Sequence, residues 1–414
     1  RARWPMQAHC ASMDVSIPER RVGLDPALTV IAAGVCAALH VGKLPPAIAA
    51  LQAALGLTLV QAGFLLSLVQ LAGMLLGVVF GLAADTLGPR RSLLLGLGVL
   101  TLASTLGGVS TAVPLLMALR ALEGFGFLLV VLPAPGLVHH FAAPGRSNVL
   151  LGLWGAYMPF GTAMALLVGP LWIESFGWRA WWWLLAAVSA AMALVVARVL
   201  PPLPARTAAG GDPTLATRVR RTLDSRGPWL VALSFAVYSS QWLAVIGFLP
   251  AIYTQAGVSG AATGVLTAGA AAVNMIGNMA AGKLQHAGFA PTRLLTIGFV
   301  TMALAAAAAF AGTAGQGLPP WARYGAVLAF SAVGGLIPGT LFSLAVRLAP
   351  DAHTLGTTVG WVQQWSAFGQ FVGPPLVAWI ASRAGGWQYT WLATGACALV
   401  GLLLMTRIRR QIAP

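Results

Sequence analysis

The chain has 414 residues, of which 58% are hydrophobic and 8% charged, with a mean hydropathy of +0.83. A soluble domain carries roughly a quarter of its residues charged, so this composition excludes a soluble globular fold and implies a polytopic membrane protein. The net charge of +15 does not signal nucleic-acid binding. Apart from Lys43, Arg120, Arg179, Arg323 and Arg383, every Lys and Arg falls in a loop or tail on one side of the expected topology, which is the positive-inside asymmetry.

Residues 1–26 are expected to form an unstructured cytoplasmic arm. They show no apolar core followed by a small-residue cleavage site, and so no signal peptide. The chain opens on Arg1, and Met6 and Met13 are candidate starts. Cys10, Cys36 and Cys397 have no metal or disulfide spacing, and Cys36 and Cys397 read as small apolar packing residues.

Apolar stretches of about 20 or more residues, enough to cross ~30 Å of hydrocarbon at 1.5 Å per residue, then recur twelve times. They run over 27–53, 58–85, 91–110, 113–139, 148–173, 179–200, 229–255, 261–284, 292–312, 321–348, 354–381 and 388–407. The expected fold is therefore all-α with 12 transmembrane helices and both termini in the cytoplasm. Pro201 to Gly227 is rich in Pro, Gly and Arg and divides the helices into two six-helix pseudo-repeats, 27–200 and 229–407. The linker, 201–228, contains a possible short basic surface helix, Leu215 to Leu223; 408–414 is a tail. Trp172, Trp178 and Trp181 to Trp183 gather at the turn between the fifth and sixth spans, and Trp387 and Trp391 start the twelfth. All are expected to be interfacial anchors. One register sets Gly63 on Gly264, Met74 on Met275, Gly81 on Gly282 and Asp85 on His286, in support of the repeat.

Between the second and third spans the sequence reads Gly81-Leu-Ala-Ala-Asp85-Thr86-Leu-Gly88-Pro89-Arg90-Arg91. Gly88 and Pro89 force a tight turn, and the two arginines mark a cytoplasmic loop. This loop resembles the signature of the major facilitator superfamily, with Thr86 where a basic residue is usual. The fourth span carries Arg120, Glu123, Gly124 and Gly126, and Arg-x3-Gly-x-Gly resembles that family's helix 4 motif, whose Arg is linked to proton coupling in many members. The text His40-Val-Gly-Lys43-Leu-Pro45-Pro46, with Gln61-Ala-Gly63-Phe and Gln70-Leu-Ala-Gly73-Met, is similar to the cyanate/nitroimidazole-permease-like branch. The resemblance implies rocking-bundle transport, with substrate near the midplane between the halves. It also implies a cytoplasmic latch made by Gly81, Asp85, Gly88, Arg90 and Arg91.

Enzymatic readings find no triad, phosphate loop or ligand cluster, and no metal or cofactor is expected. His139 and His140 point about 100° apart on a helix and read as structural. Ionisable residues at membrane depth are costly, and so mark function. Arg120 and Glu123, spaced i,i+3, are expected to meet on one face, with Glu123 the proton-coupling group and His40 the next candidate. Lys43 and His40, before the helix-breaking Pro45 and Pro46, are expected in the cavity; Pro250 is expected to repeat the break in the seventh span. Tyr238, Gln241, Asn274, Asn278, Gln364 and Trp365 are expected to complete a substrate site with His40, Lys43 and Arg120.

The function expected is proton-coupled uptake of a small organic or inorganic anion across the inner membrane, by a monomer. The Gly-Pro-x-x-Gly-Gly run of the family's efflux members is missing from the fifth span, which favours uptake. Drug or metabolite efflux by proton antiport is the alternative, and a non-transporting sensor on the same fold is a third. The partners implied are a small anionic substrate, protons and the bilayer, with no nucleic acid.

Overall fold

The structure is a computed structural model and describes residues 24–77, 88–143, 146–202, 214–312 and 317–412. Residues 1–23 of the expected N-terminal arm, together with Gly81 and Asp85 of the loop, lie outside the described residues.

Helix α1, Pro26–Leu55, starts where Asp25 caps it, its carboxylate accepting from the Ala27 N–H at 2.8 Å. Regular helix stops at Gly42, because Pro45 and Pro46 donate no backbone hydrogen bond, and a 3-10 turn, Pro45–Ala47, carries the chain into Ile48–Leu55. Helix α2, Leu59–Gly77, opens with a Thr58/Gln61 capping box and also contains a 3-10 turn, Leu68–Gln70. Then follow α3, Pro89–Val109; α4, Val113–Phe141; α5, residues 147–176; and α6, residues 178–199. The expected loop between α5 and α6 is reduced to Gly177, whose φ of 81° turns the chain in one residue.

The basic helix α7, Leu215–Asp224, is present at the expected place. It docks on the second set of helices, with Arg221 on Asp351 at 3.1 Å and Thr222 on Thr357 at 2.9 Å. The second set is α8, Arg226–Gln255; α9, Gly260–His286; α10, Pro291–Phe310; α11, Pro320–Arg347; α12, Leu355–Ala384; and α13, Thr390–Ile412. Pro250 does not break α8, and Pro374 and Pro375 do not break α12. In each the helix continues on both sides, so the missing donors are absorbed without a non-helical turn.

Among the described residues, ten stretches are long and apolar enough to cross a membrane. Gly177 divides one of them, and α12, at 30 residues but weighted with Gln363, Gln364 and Gln370, completes twelve membrane-length helices. Before the linker, α1 packs on α4 and α5, and α3 on α4 and α6; after it, α8 packs on α12 and α13, and α10 on α11 and α13.

The two sets meet along α2–α12, α5–α9 and α1–α8. At the first, a Cβ on Gly63 would lie 2.9 Å from the Pro375 backbone, so glycine permits the approach. At the others, Pro45, Pro46, Pro170 and Pro250 border a cleft of about 30 Å³ on the face away from the linker.

The Trp anchors require a correction. Trp178, Trp181 and Trp182 are buried, and only Trp183 of the Trp181–Trp183 run is well exposed, at 44%. After the turn at Gly177, the start of α6 faces α1 and α3, where the indoles fill the bundle interior: Trp182 lies against Gly107 and Trp181 against Gly169.

Candidate functional site

The break in α1 organises the site. Pro45 and Pro46 cannot donate to the carbonyls one turn earlier, at Val41 and Gly42, and the 3-10 turn directs the Ala47 N–H to Leu44 rather than to Lys43. Side chains from other helices take over. Arg120 on α4 donates to the carbonyls of His40 at 2.5 Å, Val41 at 3.4 Å and Leu65 at 3.1 Å, the last beside the 3-10 turn of α2. Trp181 on α6 donates its indole N–H to the Lys43 carbonyl at 3.0 Å. Arg120 thus ties the irregular turns of α1 and α2 to α4.

The expected Arg120–Glu123 pair is present, with Nη1 2.6 Å from Oε2. The other carboxylate oxygen is taken by Lys43, which donates to Glu123 Oε1 and, at 3.0 Å, to Ser104 Oγ on α3. The Lys43 ammonium also lies 4.7 Å from the centroid of the Trp182 ring, a cation–π distance. His40 hydrogen-bonds Ser189 on α6 through Nε2 at 2.7 Å, and Ser189 Oγ is 3.5 Å from Cys36 Sγ. Among the described residues His40 Nδ1 has no hydrogen-bond partner, and it faces Glu123 Oε1 across 3.7 Å. All four ionisable side chains are at most 2% exposed.

The structure therefore brings His40, Lys43, Arg120 and Glu123 together, but inside the first bundle rather than on the wall of an open cavity. The sequence paired Arg120 with Glu123 through helical spacing. It did not join Lys43 to Glu123, because the two are far apart in the chain and no local periodicity links α1 to α4. Ser104, Ser189 and Trp181 were missed for the same reason.

The second-half residues lie on α8, α9 and α12. Asn274 donates to the Tyr238 hydroxyl at 3.0 Å and to the Ser331 carbonyl at 2.8 Å, and Asn278 donates to Asn274 Oδ1 at 3.1 Å. Gln241, on the Tyr238 helix, donates to the Val237 carbonyl, and its buried Oε1 has no partner among the described residues. On α12, Gln364 packs over Gly77 of α2, Trp365 sits in a ring cluster with Trp229, Trp361 and Phe368, and the next residue, Ser366, accepts at its carbonyl from Ser239 Oγ, beside Tyr238, at 2.8 Å. Between the sets, Gln70 donates to Gln370 Oε1 at 3.0 Å.

Of the loop signature, Gly88 is described with φ 81°, the conformation that the turn requires, and Arg90 donates to the Ala197 carbonyl at 2.7 Å, holding the loop to the end of α6. Arg91 is exposed at the start of α3.

The family profile of the Major Facilitator Superfamily matches residues 30–374. The cephamycin export protein CmcT of Amycolatopsis lactamdurans is 28% identical over 331 residues, covering 74% of this chain and 67% of that protein. The tetracenomycin C resistance and export protein of Streptomyces glaucescens is 27% identical over 165 residues, 40% of this chain and only 28% of its own length. A bacterial homolog of the human lysosomal transporter Spinster, in its inward-facing and occupied conformation, superposes with a TM-score of 0.77 over 93% of this chain and 96% of its own, at 15% identity, a likeness of fold. With the profile running from α1 into α12, the chain belongs to the Major Facilitator Superfamily and is a multi-pass membrane transporter rather than an enzyme.

Proposed function

We propose that this transporter exports a small organic molecule in exchange for protons, with the proton handled by the buried His40–Lys43–Arg120–Glu123 cluster. The observation that carries this reading is the closure of that cluster. Both oxygens of Glu123 are engaged, Arg120 is spent on backbone carbonyls, and no member is more than 2% exposed. Such a cluster suits a proton, which needs no cavity, better than a substrate. Substrate then falls to the space between the halves, with the Tyr238–Asn274–Asn278 chain and Gln241 Oε1, an acceptor without a partner among the described residues, as the polar groups offered by the second half. Export is supported by CmcT, which aligns over most of this chain.

Anion uptake, the reading that the sequence favours, keeps one observation on its side: the cluster holds two cations for one carboxylate. The resemblance to the cyanate/nitroimidazole-permease-like branch belongs with that reading. We place the face of the linker, Arg90 and Arg91 in the cytoplasm and the protein in the inner membrane, on the positive-inside asymmetry. Asp85 is proposed to latch that face.

Reconstituted vesicles with an imposed pH gradient separate the readings. Antiport accumulates substrate on the acidic side and proton–anion symport on the alkaline side. A panel of small acids and apolar antibiotics that accumulates only on the alkaline side overturns the export reading. Binding without accumulation on either side points to the sensor.

A further inference from the structure

The cluster contains Lys43 and Arg120, each a cation, and one carboxylate, Glu123, so with His40 neutral it carries one positive charge in excess. Buried charge is tolerated when paired, and an unpaired excess in a low-dielectric interior is costly. There are two ways to exchange a proton here. If Glu123 takes one up, the cluster goes to two excess charges and the carboxyl must give up its contact with Lys43 or Arg120. If Lys43 gives one up, the excess disappears and the Arg120–Glu123 pair stays intact. Arg120 itself does not deprotonate in the accessible range.

We propose that Lys43, rather than the carboxylate beside it, is the group that releases and recaptures the transported proton, and that the contacts seen here are those of the proton-loaded state. The proposal rests on the proton coupling assigned above to this cluster. In the release step a Lys43 N–H bond breaks, the electron pair stays on Nζ, and the proton passes to a water molecule that enters as the halves rock. Recapture from water on the other side reverses it. Glu123 is then the fixed counter-charge, and Ser104 and Trp182 hold the ammonium in place. The titratable or charged groups facing Lys43 among the described residues are His40 and, one turn further, Cys36 on its own helix, and Arg120 and Glu123 on α4; α3 and α6 present Ser104, Trp181, Trp182 and Ser189. A charged His40 would add to the excess, so the same balance keeps its ring neutral.

Trp182 supplies the probe, since its ring lies 4.7 Å from Lys43 Nζ and its emission responds to that charge. Purified full-length protein in lipid nanodiscs is titrated, and the Trp182 signal is isolated as the difference from a Trp182→Phe protein. Wild type should show one step. Lys43→Arg should abolish it, and Glu123→Gln should move it to more acidic pH by about one unit or more, because an ammonium without its counter-charge sheds its proton more readily. Infrared difference spectra of the wild type across the step should show no protonated-carboxyl band, a readout that needs no variant to fold. A step that persists in Lys43→Arg, a step that vanishes in Glu123→Gln, or a carboxyl band that Glu123→Gln removes would each overturn the assignment to Lys43. Absence of any wild-type step, together with no substrate movement driven by a pH gradient, overturns the coupling reading beneath it as well.

Discussion

The guanidinium of Arg120 reaches the carbonyl of Val41, at 3.4 Å, that Pro45 leaves without a backbone donor. One side chain thus repairs a helix break on α1, a second irregular turn on α2, and the charge of Glu123 on its own helix. Motif residues read from sequence as functional are here also the fasteners of the first bundle.

The first prediction follows from that double duty. Arg120→Met leaves Glu123 to Lys43 alone and withdraws a donor from three buried carbonyls and one carboxylate oxygen, and should cost about 3 kcal/mol or more, at about 1–3 kcal/mol for each buried acceptor left unsatisfied. Arg120→Lys keeps the charge but loses the planar fork, and should cost about 1–3 kcal/mol. Melting midpoints in detergent should rank wild type above Arg120→Lys and Arg120→Lys above Arg120→Met. Equal midpoints for the two variants would mean that the fork, and not the charge, is what matters.

The amide pair Gln70–Gln370 bridges the halves at 3.0 Å. Replacing either residue by Leu leaves its partner unsatisfied, whereas replacing both removes the mismatch. A double-mutant cycle on the equilibrium between open and closed halves, read from spin-label distances, should give a coupling of about 0.5–1.5 kcal/mol. Simple additivity would show that the bridge has no part in that equilibrium.

On the face away from the linker, Glu174 ends α5 beside the start of α9. A Cβ on Gly260 would lie 2.8 Å from Glu174 Oε2. A carboxylate is favoured near a helix N-terminus, so Glu174→Lys should loosen this contact between the halves. The expected result is faster maleimide labelling of a cysteine placed at the buried Ala251, which lines the adjoining cleft. An unchanged rate would assign the closure to the prolines alone.

Asp351 holds the linker helix through Arg221. Slight desolvation pushes its carboxyl upward, but the Arg221 contact and the Thr354 N–H outweigh it and hold it below the ordinary carboxylate value. A carboxyl depressed in the folded state contributes at pH above its unfolded value, and the contribution is lost as the pH falls through the lower folded one. Asp351→Asn should therefore speed hydrogen exchange across α7 at neutral pH and make no difference once wild-type Asp351 is protonated. Exchange rates that agree at both pH values would show that Thr222–Thr357 and apolar contacts suffice to dock the helix.

Much of the fold is legible in the chain itself. Membrane-length apolar runs, a basic linker and the turn glycines place the helices, because each signal is local: hydrocarbon thickness sets span length, and Gly88 or Gly177 alone supplies a backbone that other residues resist. The Arg120–Glu123 pair is legible for the same reason, since helical periodicity brings i and i+3 together. What the tertiary structure decided is everything that depends on which helix faces which. Packing turned Trp181 and Trp182 from expected membrane anchors into core residues. It also carried Lys43 onto Glu123. That last contact changes the chemistry most: a lone lysine at membrane depth reads as a site for an anion, whereas a lysine already holding a buried carboxylate reads as part of a proton site. The distinction is set by pairing across helices, which no spacing along the chain encodes.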